Sequence, residues 1–271
     1  MPFVKFHQPC NECGSSDAAS VNDDGSAWCF SCNKYFKDYS TSEVQQPDTV
    51  TDFEVYQRNS KMEQSLNQPS SFNATFNELT DRKISLATAK KYGVKSTMAG
   101  GTIDKHYYPY YNGHEFAGTK IRKPNKEFTW TGSPKEVGLF GENLFKAGGK
   151  FITLTEGECD AMAAYELMGS KWPAVSIKSG AQGGVRDVKE NLEYLESFDS
   201  VVINFDNDKV GKEAAHAIAK LLTPGKAKLM TLPVDYKDAN DMLRQGRHAA
   251  YVSAFWDAKV YTPSGVLNLS D

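Results

Sequence analysis

Residues 150–169 read KFITLTEGECDAMAAYELMG, residues 172–184 WPAVSIKSGAQGG, residues 200–211 SVVINFDNDKVG and residues 228–242 KLMTLPVDYKDANDM. Short apolar runs end in acids or glycines and pass into helical patterns. This alternation predicts an α/β unit whose parallel strands bring their carboxyl ends to one edge. Strands are expected over 151–155, 173–178, 200–205 and 227–232, with helices from about Glu158 and over 185–196. Glu156, Asp206, Asp208 and Asp238 then gather at that edge. Like charges held together repel unless a cation joins them, so the cluster reads as a divalent-metal site.

The details refine this reading. Asp206 and Asp208 straddle one residue, so at an extended strand end both side chains point the same way. Hard carboxylate oxygens suit magnesium or manganese rather than zinc. Asp238 either adds a carboxylate or caps the helix that follows. Asp160, four residues after Glu156, leans back towards the strand end if its helix starts early. Gly180 and Gly183 belong to a loop whose backbone amides are placed to approach a phosphate. Cys159 reads as a packing thiol, with no histidine near it in sequence to activate it.

The chain has 271 residues and a net charge of −3, enough for one large domain or two to three small ones. The charge balance leaves any nucleic-acid binding to local basic patches. The start, MPFVKFHQPC, has no apolar signal region, and no run is long enough to cross a membrane. A soluble intracellular protein is expected. No G-x-x-x-x-G-K-[ST] occurs, which argues against a nucleotide-driven motor within these residues.

Residues 1–40 carry Cys10, Cys13, Cys29 and Cys32 as two C-x2-C pairs with fifteen residues between them. Each pair puts two thiolates on one tight turn, and four soft thiolates in a tetrahedron suit zinc. Turn residues at Gly14 and Asp24-Gly25 predict a zinc ribbon of short antiparallel strands. Such a ribbon is either purely structural or a nucleic-acid reader using His7, Trp28, Phe30 and Lys34.

Residues 41–70 are polar and read as a flexible linker with one short helix near 52–64. Residues 71–149 form a mixed subdomain. Ser85 is placed to cap a helix that ends before Gly93, and Asn112-Gly113 marks a hairpin. On the strand after it Lys120 and Arg122 alternate and face one side, and Lys123 and Lys126 extend the patch. Cations so aligned suit the phosphates of a nucleotide or template; the alternative is a solvated basic edge. Metal-held carboxylates beside such a patch imply phosphoryl or nucleotidyl transfer, and a hydrolase would use the same carboxylates on water.

The spacing TEGECDAMAA, FDNDKVG, KDAND resembles the Toprim module of primases, topoisomerases and some nucleases. Together with the four-cysteine ribbon, the polar tether, TKIRKPNKEF (119–128) and the TGS and LFG segments, nearly the whole chain resembles the primase half of the bifunctional primase–helicases of short-tailed bacteriophages. The resemblance implies an α/β Toprim fold over 150–257, a preceding α+β subdomain over 71–149 and a tail over 258–271 that starts a linker to a helicase domain beyond Asp271. It implies that Glu156, Asp206 and Asp208 bind metal and catalyse, with Asp238 a further acid. Lys120, Arg122, Lys123 and Lys126 would handle ribonucleoside triphosphates and the growing RNA primer, Lys120 and Lys126 as catalytic groups. Cys10, Cys13, Cys29 and Cys32 would hold the zinc of a template-reading ribbon that includes Asp24 and Trp28. Family members make short RNA primers on single-stranded DNA, starting at a trinucleotide whose first base is not copied, and hand them to the phage DNA polymerase in the infected host's cytoplasm. Ser26 stands where relatives carry a template-reading histidine, and Thr129 where they carry a basic residue, so a different recognition sequence is expected. A Toprim nuclease and a zinc-plus-Toprim recombination mediator are the competing readings.

Overall fold

The computed structural model describes residues 3–10, 12–15, 18–32, 34–39 and 73–262, and the chain divides into two compact units, residues 1–64 and 65–271. The linker expected over 41–70, its helix near 52–64 and the tail from 263 onward lie outside the described residues. Among the described residues no helix is long and apolar enough to cross a membrane.

The first unit is an antiparallel meander of β1 (Phe3–Gln8), β2 (Ala19–Asn22), β3 (Ala27–Cys29) and β4 (Lys34–Phe36), paired in chain order. Gly25, at φ +80°, makes the β2–β3 turn that Asp24-Gly25 foretold. Among the described residues Cys10, Ala19 and Cys29 form a buried cluster, with Ala18, Phe36 and Tyr39 against them.

The second unit opens on α1 (Leu86–Lys91). Ser85 caps it as read from sequence, its Oγ accepting from Thr88 N at 3.2 Å while donating to Glu166 Oε1 at 2.7 Å. A four-stranded antiparallel sheet follows: β5 (Lys95–Ala99), β6 (Thr102–Asn112), β7 (Glu115–Arg122) and β8 (Phe128–Gly132). The β6–β7 hairpin turns at Asn112-Gly113, where Gly113 takes φ +57°.

The second sheet holds β9 (Gly149–Thr155), β10 (Ala174–Ser176), β11 (Phe198–Asn204), β12 (Ala227–Leu229) and β13 (Lys259–Val260) in the order β10-β9-β11-β12-β13. The first four are parallel, as expected, and the antiparallel edge strand β13 was not foreseen. The connecting helices are α2 (Glu158–Leu167), α3 (Gly180–Glu190), α4 (Leu192–Glu196) and α5 (Lys209–Ala219), followed by α6 (Ala239–Arg244) and α7 (His248–Trp256).

Both faces of this sheet are covered. Val202 joins a core with residues of α2, α6, α7 and the aromatic residues Tyr108 and Tyr110 of β6. Its neighbours Val201 and Ile203 join a second core with Val188, Leu195 and Ile218 from α3, α4 and α5. The period-two alternation of a strand buried on both sides explains its apolar run Val201–Ile203.

Strand order decides where the site lies. The crossover through α2 carries the chain from β9 to β10 on one side, and the next returns it to β11 on the other. The order therefore reverses between β9 and β11, and crevices at such reversals are where open α/β sheets bind ligands. Thr155 and Asn204, the last residues of β9 and β11, are register partners. Glu156 and Asp206 thus leave adjacent strand ends.

Candidate metal and phosphate-binding site

Side-chain oxygens of Asp160, Asp206 and Asp238 lie within 4.8 Å of one another. Each comes from a different element, and each is held. Asp160 sits in the first turn of α2, where its Oδ1 accepts from Asn240 N at 3.0 Å. Gly157 makes room for it, since an added Cβ would lie 2.9 Å from Asp160 Oδ2. Asp238 caps α6, its Oδ1 accepting from Asp241 N at 2.7 Å, so it serves both alternatives read from sequence. Asp206, half-buried beyond β11, takes Lys237 Nζ on its Oδ2 at 2.7 Å.

Glu156 and Asp208 stand outside this three-oxygen group. Glu156 Oε1 accepts from Ala181 N at 3.3 Å, while its Oε2 is buried with no hydrogen-bond partner among the described residues. Asp208 is exposed and caps α5, accepting from Gly211 N at 2.8 Å. The strand ends at Asn204, so the extended geometry that would have aimed Asp206 and Asp208 alike does not reach them. Asp160 is the acid that strand-end reasoning did not assign to the metal. Its signal was the four-residue spacing from Glu156, which a helix starting at Glu158 converts into proximity.

Burial pushes the carboxyls of Glu156 and Asp206 above the usual range, and the Asp206 charge raises Glu156 further. For Asp206 the Lys237 ammonium opposes the rise. Asp160 is pushed well above the usual range by burial first and the Asp238 carboxylate second. Gathered acids held against their preference to protonate are what a divalent cation relieves, and the buried unpartnered Glu156 oxygen adds a further acceptor.

The acids form one side of an open cleft of about 740 Å³. Arg82, Arg122, Lys126 and Arg244 line it too. Arg122 ends β7, and Lys126 sits in the β7–β8 turn at φ +64°, a conformation rare for a side chain larger than glycine. Lys123 pairs with Glu127 at 3.6 Å and is not among the cleft-lining residues. Lys120, expected beside Arg122 on the open face, is 8 % exposed. Its ammonium lies between sheet and helix, donating to Glu158 Oε1 at 2.6 Å and to Lys178 O at 2.9 Å. Glu158, which sequence reading passed over, is buried at the start of α2 and also accepts from the Tyr110 hydroxyl at 2.6 Å.

One further expectation changes, and Cys159, which packs against the core as read from sequence, gains a partner. Residues 180–184 are the first turn of α3 rather than a free loop, and the Ala181 amide addresses Glu156. Gly183 and Gly184 serve packing: a Cβ at Gly183 would meet Ser179 Cβ at 2.3 Å, and one at Gly184 would meet Ile177 Cδ1 at 2.9 Å. Cys159 is joined to a histidine through space. Tyr108 Oη lies 3.2 Å from Cys159 Sγ and 2.7 Å from His106 Nδ1, and His106 Nε2 lies 3.1 Å from Asp81 Oδ1. Burial draws the His106 imidazole down, but the Asp81 and Cys159 partners outweigh it and raise it to about 9.

In the first unit the four cysteines are free thiols with sulfurs within 4.8 Å of one another. Cys10 and Cys32 sulfurs are 3.8 Å apart, and those of Cys13 and Cys29 are 3.7 Å apart. A tetrahedron with metal–sulfur bonds of about 2.3 Å has edges of about 3.8 Å, so the set fits zinc. Asp24 Oδ1 is occupied locally, accepting from Ser26 N at 3.0 Å and Ser26 Oγ at 2.6 Å. Ser26 is 2 % exposed. Trp28 lies opposite Ser20 and Tyr35 on the sheet face away from the buried cysteines.

Residues 153–243 match the family described as Toprim-like. The DNA helicase/primase of Enterobacteria phage T3 is 32 % identical over 275 residues, covering 97 % of this chain. The chain spans about half that relative's length, 45 %. The crystal structure of the primase fragment of the bacteriophage T7 primase–helicase is 31 % identical, with a TM-score of 0.62 over 93 % of this chain and 99 % of that one. Primase domains bound to an RNA/DNA hybrid and dTTP, interacting with the T7 lagging-strand DNA polymerase, match at 32 % identity and a TM-score of 0.63, over 70 % of this chain and 95 % of that one. Sequence and fold agree along nearly the whole length, and the chain belongs to the family of the bacteriophage primase–helicase primase fragments.

Proposed function

We propose that this chain is a DNA-dependent RNA primase, joining ribonucleotides into short primers on single-stranded DNA. The observation that carries the reading is the carboxylate group of Asp160, Asp206 and Asp238 at the β9–β11 reversal, facing Arg122 and Lys126 across one cleft. Asp160, Asp206 and Asp238 would hold magnesium or manganese, with Glu156 beside them and Asp208 at the rim. When bound, such a cation supplies charge stabilisation to the reacting phosphate and lowers the pKa of an attacking hydroxyl. Lys237 pairs with Asp206 and opposes the rise that burial imposes on its carboxyl. Arg122 and Lys126 meet the triphosphate or the primer backbone, where opposed cations position the reacting groups. Lys120 acts from beneath the cleft, fixing β7 to the helix that carries Asp160; Lys123 stands outside the cleft lining as a backbone contact. Gly180 and Gly183 form the turn that presents the Ala181 amide to Glu156.

The four cysteines would hold one zinc and the ribbon would read the template, with Trp28 as a stacking face and Asp24 as a polar contact. Because Asp24 is tied to Ser26, the recognition sequence should differ from that of histidine-bearing relatives. The proposed partners are single-stranded DNA, ribonucleoside triphosphates, the RNA primer, a replicative helicase domain and the phage DNA polymerase; likeness to the phage relatives supports them. The proposed setting is the cytoplasm of an infected bacterium.

The test is incubation with single-stranded DNA, magnesium and labelled ribonucleotides. Short template-dependent RNA is expected. Shortening of the DNA without RNA would favour the Toprim nuclease, and binding without either would favour a recombination mediator.

A further inference from the structure

The outer face of α5 is the strongest charged feature that the cleft leaves unused. Lys209, Lys212, His216 and Lys220 are all exposed. At about 100° per residue they fall within an arc of about 80°, one above another along a helix about 16 Å long. The adjoining face of the helix, with Gly211, Ala215, Ile218 and Ala219, is buried, the last three in the core beneath the sheet. The aliphatic stems of the cations wall a shallow groove of about 610 Å³, completed by Glu213 and Ala217.

Few local groups neutralise this stripe. Glu213 reaches Lys209 at 3.9 Å, a loose exposed pair. His216 Nδ1 lies 2.8 Å from Lys212 O. A carbonyl only accepts, so Nδ1 carries the proton there and Nε2 is left on the outer side of the ring. His216 is also held edge-on against Tyr261 at 6.1 Å between ring centres. The lysines at 209, 212 and 220 are set about 4.5 Å and about 12 Å apart along the helix axis, with the polar ring of His216 between the last two. The stripe begins at Lys209, three residues beyond the cleft-lining Asp206.

A row of point charges along a shallow open groove, with few other polar groups, recognises a repeated anion rather than one shaped ligand. Lysine meets phosphate as a point charge and carries no base information. We infer that this face of α5 is a track for the sugar–phosphate backbone of single-stranded nucleic acid passing to or from the cleft. That the strand is the template rests on the primase reading; the contact itself does not. The proposal also accounts for how a chain of net charge −3 gathers a polyanion, since the cations are local.

The test is the salt dependence of binding of a fluorescent oligothymidylate to the whole chain and to the Lys209→Gln, Lys212→Gln, Lys220→Gln triple variant. The three side chains are exposed, and thermal melting checks that the fold is kept. Loss of three phosphate contacts should lower the slope of log K against log salt by about 2. At low salt a loss of affinity of about tenfold or more is expected, restored by three arginines. An unchanged slope overturns the track. So does an unchanged slope with lost binding to a polyglutamate peptide, which would assign the stripe to an acidic protein segment. Primer synthesis is read separately: RNA made normally with an unchanged slope refutes the track alone, and a lowered slope without RNA from the wild type refutes the primase reading alone.

Discussion

Lys120 and Glu158 form a buried ion pair, Nζ to Oε1 2.6 Å, that joins the antiparallel sheet to the helix carrying Asp160. The Tyr110 hydroxyl and the Lys178 carbonyl complete the pair's hydrogen bonds. The Lys120 ammonium also lies 4.6 Å from the centre of the Phe128 ring. Lys120 therefore differs in kind from Arg122 and Lys126, although all three are basic residues of one short stretch.

Removing Lys120 leaves Glu158 charged and uncompensated inside the protein. Lys120→Ala is expected to lower stability by about 3–5 kcal/mol. Lys126→Ala, at an exposed position, should change stability by about 0.5 kcal/mol or less while weakening nucleotide use. Urea unfolding of the two variants checks this. Equal stability of both would show that the Lys120–Glu158 pair does not tie the elements together.

The acid cluster gives the metal-free protein a defined pH response. Raised carboxyl pKa values mean that the folded state holds more protons than the unfolded state, so stability falls as pH rises above the ordinary carboxylate range. Magnesium should therefore raise the melting temperature more at pH 7.5 than at pH 5. Asp160→Asn should raise the metal-free melting temperature by a few degrees and blunt the magnesium response. A larger magnesium effect at the lower pH would contradict the assignment of these acids.

His106 makes a second pH-dependent contribution. Its imidazole is raised to about 9 in the fold against an ordinary value of 6.5. The stabilisation is complete below pH 6.5 and is lost as pH rises through about 9, on the order of 2 kcal/mol. The difference in unfolding free energy between wild type and His106→Gln, followed from pH 6 to 10, should shrink across that window. A flat difference would mean that the Asp81 contact does not favour the imidazolium.

The ribbon should depend on its metal. One zinc per chain is expected by elemental analysis, lost in Cys29→Ser. Chelation should unfold the first unit while leaving the melting transition of the second unchanged, because the second unit buries two apolar cores of its own. Zinc-free protein with an intact first unit would oppose this.

How much was legible in the sequence depended on how local the cause was. The run SVVINF at 200–205 announced a parallel strand, and Asn112-Gly113 announced its hairpin, because apolar patterning and turn chemistry act over a few residues. The two C-x2-C pairs gave the sulfur cluster for the same reason. Asp160 was only half visible: its approach to Asp238 depends on α2 and α6 meeting, a contact between residues 78 apart. Lys120 was misplaced because strand alternation gives a side and not what covers it; Glu158 and Phe128 cover it. The His106–Tyr108–Cys159 chain crosses from β6 to α2, so no sequence window contains it.

The most direct test of the central claim is extension of a labelled diribonucleotide on a single-stranded DNA template with magnesium, comparing wild type with Asp206→Ala. The wild type should make template-dependent RNA. Asp206→Ala should lose at least a hundredfold of that rate while keeping its zinc and its fold. Undiminished synthesis by a folded Asp206→Ala protein would contradict the placement of the chemistry at the β9–β11 acids.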